Sequence, residues 1–384
     1  MPDFRRLLSL PELLKRKSFF LFGPRATGKS FLVSAQLGNR ALVIDLLRSD
    51  LYFRLSAEPG LLEALIGDRR GPGAWIVIDE VQKLPGLLDE VHRLIETRRI
   101  RFLLTGSSAR KLKRGQANLL AGRAWTAHLY PLTSAEIPRF DLPRFLRWGG
   151  LPPVVASEEP AEELRAYVRA YLQEEIQAEG FVRRLPQFSR FLATAALTNG
   201  QMLNFAQIAS DAGVPAATVR EYYFLLEDTL VGFLLPAWTK SKRRKAISTA
   251  RFYFFDTGVT HALAGTETLD RNSDLYGKSF EQWVGMELRA YLGYRRRDDG
   301  LAFWRSVHQQ EVDFIVGDHT AIEVKATRKV TGRDLRGLQA IAEEGGFRRL
   351  LLVSEDRLEA THGAIRCLPW SRFAEELWAD KLLR

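Results

Sequence analysis

The apolar positions in the N-terminal third fall into short, wholly apolar runs that alternate with longer stretches of helical spacing. Central strands of a parallel sheet are buried on both faces, so they read as continuous apolar runs. Their alternation with helices predicts βαβ units and a doubly wound α/β domain over residues 1–132. The predicted strands are 19–22, 41–45, 75–79, 100–105 and 124–130.

The first apolar run ends in a loop with the pattern Gly-x-x-x-x-Gly-Lys-Ser. Gly23 and Gly28 leave room for consecutive backbone N–H groups to face phosphate oxygens, and the helix that follows directs its positive end at the anion. Lys29 supplies a charge for the β- and γ-phosphates, and Ser30 offers a hydroxyl to Mg²⁺. The pattern therefore predicts a phosphate cradle. Its residues are Gly23, Pro24, Arg25, Ala26, Thr27, Gly28, Lys29, Ser30 and Phe31.

The third apolar run ends in two adjacent carboxylates, Asp79 and Glu80. We expect Asp79 to hold Mg²⁺ through water, together with Ser30, and Glu80 to polarise the attacking water. A single carboxylate at a strand end is commonly a helix cap. A pair downstream of a phosphate loop favours a hydrolase instead.

Two further candidates lie at the end of the fourth run and just before the fifth. Thr105 is one of several hydroxyl residues that could reach the γ-phosphate, although Ser108 among them could instead cap the next helix. Arg123 could stabilise transition-state charge in its own subunit or a neighbouring one, or it could be an ordinary surface arginine. The catalytic candidates are therefore Glu80, Thr105 and Arg123.

These motifs together resemble AAA+ ATPases. The resemblance rests on Gly23 to Ser30, Ile-Asp-Glu-Val-Gln at 78–82, Leu-Thr-Gly-Ser-Ser at 104–108 and Gly-Arg at 122–123. More narrowly, the chain resembles a prokaryotic family that joins this core to a C-terminal restriction-endonuclease-like domain, whose Trp-Gly-Gly-x-Pro element stands here at 148–152. The resemblance implies binding and hydrolysis of ATP with Mg²⁺, usually in a ring of subunits, so we expect a homo-oligomer such as a hexamer.

The middle of the chain predicts a helical lid or linker over residues 133–186 and a winged helix over 187–265. A helix is expected from Ala161 to a stop at Gly180, and residues 205–223 have the rhythm of a helix-turn-helix. Two predicted strands, at 231–238 and 251–255, flank a basic hairpin suited to the phosphates of DNA. Winged helices in AAA+ proteins also serve as packing modules, so both roles stay open. The basic residues are Lys240, Lys242, Arg243, Arg244 and Lys245.

An acid-lysine pattern marks the predicted C-terminal domain, residues 270–384. Glu323 and Lys325 are two apart and leave the same face of one strand, and Asp313 lies on the preceding strand. The two carboxylates could bind a divalent metal and activate water. The pattern resembles the PD-(D/E)xK nuclease superfamily, with Glu281 matching its helix acid, although the upstream Pro-Asp pair is absent. This fold also hosts inactive binding or assembly modules, so cleavage stays open.

Composition narrows the class of protein. Residues 1–17 lack a long apolar core, no apolar run is long enough to cross a membrane, and we expect neither a signal peptide nor a membrane partner. The only cysteine, Cys367, excludes an intramolecular disulfide and is typical of a reducing cytoplasm, and the six histidines show no zinc spacing. The net charge of +10 favours a polyanionic partner.

Two functions therefore compete. The chain is either an ATP-driven motor or remodeller that acts on DNA, with or without nuclease activity, or an ATP-gated assembly protein whose C-terminal domain binds a protein partner. The basic hairpin and the net charge favour the first.

Overall fold

The computed structural model describes residues 4–107, 120, 122–172 and 185–383, and the predicted cap Ser108 and helix end Gly180 lie outside them. The chain forms two compact units. The first contains residues 3–130 and 228–231, and the second contains 131–227 and 232–384. Almost all of the three ranges predicted after residue 132 thus lies in one unit.

The first unit is built on five strands: β1 (Ser18–Phe22), β2 (Ala41–Asp45), β3 (Trp75–Asp79), β4 (Arg101–Gly106) and β5 (Ala124–His128). Its helices are α1 (Leu10–Arg16), α2 (Lys29–Leu37), α3 (Ser49–Ala57), α4 (Leu61–Ile66) and α5 (Leu87–Arg98). The strands are arranged in the order β2-β3-β4-β1-β5, and every neighbouring pair is parallel. The predicted parallel α/β sheet is confirmed.

Burial explains why these strands are apolar throughout. All five residues of β1 are buried, because β1 lies near the middle of the sheet between β4 and β5. The amphipathic helix α5 contributes Leu87, Leu88, Val91 and Leu94 to the same core as Phe20 and Phe22. Strand β1 therefore holds the loop that follows Phe22 on a rigid support.

The second unit begins with helices. They are α6 (Leu142–Trp148), α7 (Pro152–Ala156), α8 (Pro160–Ala166, continued by a π-helical turn over Tyr167–Leu172), α9 (Leu185–Leu197), α10 (Phe205–Ala212), α11 (Ala216–Asp228) and α12 (Thr257–Ala264). The turn between α10 and α11 contains Gly213 at φ +62°, a left-handed conformation that glycine adopts without strain. The predicted helix-turn-helix is present.

The Trp-Gly-Gly-x-Pro element joins α6 to the start of α12. Asp256 caps α12 and accepts hydrogen bonds from the N–H of Val259 (3.0 Å) and Gly150 (2.7 Å). A Cβ at Gly149 would lie 2.0 Å from Asp256 Oδ1, and one at Gly258 would lie 2.1 Å from the carbonyl oxygen of Trp148. The glycines are required because two backbone segments meet without room for side chains.

The predicted wing differs from a free hairpin. Strands β6 (Gly232–Leu235) and β7 (Arg251–Phe254) pair antiparallel, but residues 236–247 between them run along the edge of the C-terminal sheet. Two hydrogen bonds fix this path: Trp238 N–H donates to Phe303 O (2.6 Å) and Ile247 N–H to Arg305 O (2.9 Å). The basic segment is therefore packed against the C-terminal sheet rather than raised on a wing tip.

The C-terminal sheet contains β8 (Leu301–Arg305), β9 (Glu311–Val316), β10 (Thr320–Lys325), β11 (Arg349–Ser354), β12 (Ala360–His362) and β13 (Ile365–Pro369). Its helices are α13 (Asp274–Tyr294), α14 (Arg336–Ala342) and α15 (Trp370–Trp378). Strands β8, β9 and β10 form an antiparallel meander, after which β10, β11 and β13 run parallel in the order β12-β13-β11-β10-β9-β8. The predicted C-terminal α/β domain is thus a mixed sheet covered by helices.

Candidate functional site

Neighbouring strands of the first unit end at one edge of the sheet and bring the predicted nucleotide residues together. The phosphate loop follows β1, Asp79 ends β3, and Thr105 lies near the end of β4, which is hydrogen-bonded to both of the other strands. The carboxyl ends of parallel strands are where ligands bind in open α/β sheets. The sequence motifs therefore form one site.

The phosphate loop has the backbone that its glycines predict. Gly28 has φ +89° and Ala26 has φ +62°, and a Cβ at Gly23 would lie 2.5 Å from the carbonyl oxygen of Leu129. The ammonium of Lys29 donates to the carbonyl oxygens of Gly23 (2.7 Å) and Pro24 (3.1 Å). Lys29 is thus held inside the curve of the loop, where a phosphate would lie.

Asp79 is surrounded by neutral donors. The hydroxyl of Ser30 donates to Asp79 Oδ2 (2.8 Å), and the backbone N–H of Glu80 donates to Oδ1 (3.1 Å). The buried hydroxyl of Thr105 also donates to Oδ1. Thr105 therefore contacts Asp79, and its hydrogen bond orients the Asp79 carboxylate. Any catalytic effect of the candidate Thr105 would thus be exerted through Asp79.

Glu80 is held by Gln82, a residue to which the sequence motifs assign no role of its own. Gln82 donates its side-chain N–H to Glu80 Oε2 and, at 3.3 Å, to the hydroxyl of Ser107. Glu80 has φ +60°, an unusual conformation for this residue. Burial, with a smaller contribution from the charge of Asp79, raises the pKa of the Glu80 carboxyl, and Lys29 opposes that rise. The sequence contained Gln82 within the motif at 78–82 but gave no separate signal for this contact.

Arg6 is a second residue that sequence reasoning missed. Its buried guanidinium donates to the carbonyl oxygens of Thr27 (2.8 Å) and Tyr130 (2.6 Å), so it ties the phosphate loop to the chain after β5. An arginine before the first helix belongs to no motif, and nothing in the sequence pattern marks it.

Arg123 lies far from the nucleotide site of its own chain. The residue after it, Ala124, pairs with Ser18 at the start of β1, whereas the phosphate loop follows Phe22 at the other end. Five residues of strand separate the two ends by about 16 Å. Arg123 instead pairs with Glu96 near the end of α5. The expectation that it could act within its own subunit is corrected, and action on a neighbouring subunit stays a prediction.

The donor set at the nucleotide site fits Mg²⁺. This ion prefers oxygen ligands and takes most of them from substrate phosphates and water, with one or two from protein. Ser30 and Asp79 supply a hydroxyl and a carboxylate that are already in contact. Their present partners are neutral, so the carboxylate charge is not cancelled by a fixed cation.

Three carboxylates of the second unit, from Glu281, Glu311 and Glu323, gather around that of Asp313. We call the C-terminal charged cluster the group Glu281, Glu311, Asp313, Glu323, Arg251, Arg305 and Lys325. Phe314 pairs with Ile322, so Asp313 and Glu323 lie one residue beyond that pair on adjacent strands. The clustering of Glu281, Asp313, Glu323 and Lys325 that the sequence pattern indicates is present.

The cluster contains an arginine from outside the predicted set. Arg251 of β7 contacts Glu281 (3.0 Å), Glu311 and, at 3.7 Å, Asp313. Its side chain is 5% exposed, and its guanidinium carbon lies 4.4 Å from the centre of the Phe303 ring. In the sequence Arg251 is only the first residue of a predicted strand, and no motif marks it.

Burial is the main cause of the raised pKa values of the carboxyls in this cluster. Burial, together with the neighbouring charge of Asp313, raises the pKa of Glu281 to about 7 and that of Glu323 well above its ordinary value. Burial likewise raises the pKa of Asp313, although Lys325 and Arg251 oppose the rise. The carboxylates thus compete with one another for the same cations.

The cluster does not fit the predicted metal at Asp313 and Glu323. Asp313 accepts from the N–H of Val324 (2.8 Å) and faces Arg251, and Glu323 pairs with Lys325. Glu323 Oε2 is buried without a hydrogen-bond partner, but the cations that already face these two carboxylates oppose an added Mg²⁺. In the described ranges no group of three or more His, Cys, Asp or Glu side chains is arranged to hold a metal ion.

The basic segment is only partly available to DNA. Arg244 donates to Glu343 and to the carbonyl oxygen of Ala340, and backbone N–H groups of Lys242 and Arg243 donate to Glu344 (2.7 Å each). Arg244 is therefore used inside the unit, which differs from the expectation that it contacts phosphate. The residues of the segment that remain exposed are Lys240, Lys242, Arg243 and Lys245.

None of the helices in the described part of the chain is both long and apolar enough to cross a membrane.

Three family models match the chain. Residues 15–138 match a family described as an AAA domain, residues 139–270 match a domain of unknown function (DUF8612), and residues 276–373 match another (DUF4143). The predicted AAA-type domain is thus confirmed at the N-terminus and implies ATP binding. The C-terminal match gives no support to a nuclease identity.

Individual proteins are more distant. An uncharacterized protein of Haemophilus influenzae is 23% identical over 233 residues, which cover 56% of this chain and only 57% of the relative. The Walker-type ATPase PABY2304 of Pyrococcus abyssi is 15% identical, with 66% of this chain and 93% of that chain covered and a TM-score of 0.45. The ORC1 protein of Aeropyrum pernix in complex with DNA is 14% identical, with 67% and 90% covered and a TM-score of 0.26. TM-scores this low carry no argument about this chain.

Proposed function

We propose that the first unit binds and hydrolyses ATP. The observation that carries the proposal is the meeting of Lys29, Ser30, Asp79 and Glu80 at one edge of a parallel sheet. Such an arrangement supplies a phosphate cradle, a metal position and a base for water.

Each residue has a distinct task in this proposal. The loop N–H groups and Lys29 bind the phosphates, and Lys29 exchanges its contacts with Gly23 and Pro24 for phosphate oxygens. Ser30 and Asp79 would hold Mg²⁺, which when bound neutralises phosphate charge. Glu80 orients and accepts a proton from the attacking water, and Gln82 positions Glu80.

The test is ATP turnover and ATP affinity of the purified chain. Lys29→Ala should abolish both, because it removes the charge in the cradle. Lys15→Ala is the matched control, since Lys15 is exposed on α1 and pairs with the exposed Glu12. Normal ATP affinity in Lys29→Ala would refute the assignment.

We propose further that the second unit binds DNA through its phosphates and that ATP turnover drives movement or remodelling on DNA. The net charge of +10 and the exposed cations Lys240, Lys242, Arg243 and Lys245 support this. A purely basic cluster of this kind suits contacts to the phosphate backbone better than base readout. A ring of identical subunits, with Arg123 acting on the neighbouring site, belongs to the same proposal.

The discriminating experiment is ATP turnover with and without double-stranded DNA, combined with a salt titration of DNA affinity. Arg243→Glu/Lys245→Glu should weaken binding to all sequences equally and reduce the salt slope by about one unit per lost contact. Lys329→Glu/Arg333→Glu changes the same charge at other exposed positions and serves as the control. Turnover and affinity indifferent to DNA would favour the alternative, an ATP-gated assembly protein that binds a protein partner.

We propose that the C-terminal domain serves in binding rather than in cleavage, because Asp313 faces Arg251 and Glu323 pairs with Lys325.

A further inference from the structure

The C-terminal charged cluster draws its parts from separate elements. The carboxylates come from α13, β9 and β10, whereas Arg251 comes from β7, the second strand of the hairpin that follows the helix-turn-helix. Arg251 thus belongs to a different part of the same unit from the carboxylates that it contacts.

Arg251 is fixed more firmly than the other cations of the cluster. It is 5% exposed and touches three carboxylates, whereas Lys325 is 38% exposed and contacts Glu323, and Arg305 is 29% exposed and contacts Glu311 at 3.4 Å. Phe303 stacks against the guanidinium, and the hydroxyl of Tyr253, two residues along β7, donates to the same Glu281 oxygen. Strand β7 therefore holds Arg251 in one place.

A guanidinium in this position excludes a divalent cation for two reasons. It occupies the oxygens of Glu281 and Glu311 that would face such an ion, and its positive charge repels a second cation brought to Asp313.

We propose that Arg251 is a built-in cation that occupies the C-terminal charged cluster, so that the cluster accepts a divalent cation only when this arginine is absent. The cluster of the unaltered chain is then a salt network that binds no metal. The proposal is independent of ATP hydrolysis in the first unit.

Binding of Mn²⁺, measured by the electron paramagnetic resonance of the free ion, tests this in the full chain without nucleotide. All variants carry Asp79→Asn, which removes the carboxylate of the nucleotide site. The parent should show no saturable Mn²⁺ site. Arg251→Met should bind one Mn²⁺ with saturation inside the concentration range over which the parent shows none, and adding Glu323→Gln should abolish this binding. Arg305→Met, the same substitution at a less buried arginine of the cluster, should gain nothing.

Two results would overturn the proposal. One is a saturable Mn²⁺ site in the parent that Glu323→Gln removes, and the other is a folded Arg251→Met chain that binds no Mn²⁺. If Arg251→Met does not fold, Arg251→Met/Glu311→Gln removes one charge of each sign and is measured in its place. If neither variant folds, the parent and its Glu323→Gln variant decide: a Glu323-dependent site refutes the proposal, and its absence supports it.

Discussion

The nucleotide site and the C-terminal charged cluster both bring carboxylates together, but they differ in the groups that partner the acids. Asp79 and Glu80 are held by hydroxyl, amide and backbone N–H donors. Asp313 and Glu281 face the guanidinium of Arg251. A neutral donor orients a carboxylate and leaves its charge for an incoming ion, whereas a fixed cation uses that charge. The same acid pattern thus has opposite meanings in the two regions.

Removing one partner from each region should break this comparison most strongly. Arg251→Met leaves buried carboxylates without their cation and should lower the free energy of unfolding by about 3–5 kcal/mol. Ser30→Ala removes a neutral donor at an exposed position and should cost less than about 1 kcal/mol. Urea unfolding of both variants measures the difference. Equal losses would mean that the nature of the partner does not matter.

A third buried carboxylate, Glu287, sharpens the comparison because the donors around it are neutral. It accepts from Ser134 N–H (2.7 Å), the Ser134 hydroxyl (2.9 Å), and the indole N–H groups of Trp283 (3.1 Å) and Trp378 (2.6 Å). Burial nevertheless raises the pKa of Glu287 to about 7. Neutral donors in a dry interior therefore leave a carboxyl that still binds a proton near neutral pH.

The sign of the pH effect follows from this raised pKa. The folded chain holds the proton of Glu287 more tightly than the unfolded chain, so its contribution is complete below about pH 4.5 and is lost as pH rises through about 7. Relative to Glu287→Gln, the parent should lose about 3 kcal/mol of unfolding free energy over that interval. Denaturation at several pH values measures it, and a constant difference between the two proteins would contradict the prediction.

The next largest effect concerns ATP turnover in a variant of Glu80. Glu80→Gln keeps the size of the side chain but removes its basicity, so ATP turnover should fall about 100-fold while ATP affinity stays unchanged. Glu58→Gln, at an exposed position after α3, is the control and should leave both quantities unchanged. Unaltered turnover in Glu80→Gln would assign the base to another residue.

The smallest effect concerns Gln82. Gln82→Ala removes the amide that holds Glu80 and should reduce turnover about tenfold at neutral pH, since the carboxylate loses both its orientation and a hydrogen bond that lowers its pKa. The acidic limb of the pH–rate profile should move to higher pH. Ser107→Ala, which leaves the contact between Gln82 and Glu80 intact, should have a smaller effect on both. A profile that does not move would make Gln82 a structural residue.

The local sequence pattern was sufficient to predict the nucleotide site, because its functional residues directly follow the strands that bring them together. The phosphate loop, Asp79 and Glu80 follow apolar strands directly, so the parallel sheet brings them together without further information. Arg6 and Arg251 were not predictable, because each reaches its site across the fold from a segment with no motif. Arg244 was misread as a phosphate contact because its partners, Glu343 and Glu344, are about a hundred residues away. Site residues were therefore predictable where they lie in a motif beside a strand end, and not where their contacts come from distant parts of the sequence.

The packing of residues 236–247 along β8 has a consequence for solubility. An edge strand presents unpaired N–H and C=O groups on which another chain can add a strand and begin aggregation. Here Phe303 N–H donates to Pro236 O (3.0 Å) and Val307 N–H donates to Lys245 O (3.0 Å), so the edge at β8 is capped by the chain itself. The opposite edge is β12, which is only three residues long. The mixed sheet thus has one edge that the chain itself covers and one that is only three residues long, and both features limit edge-to-edge pairing with another chain.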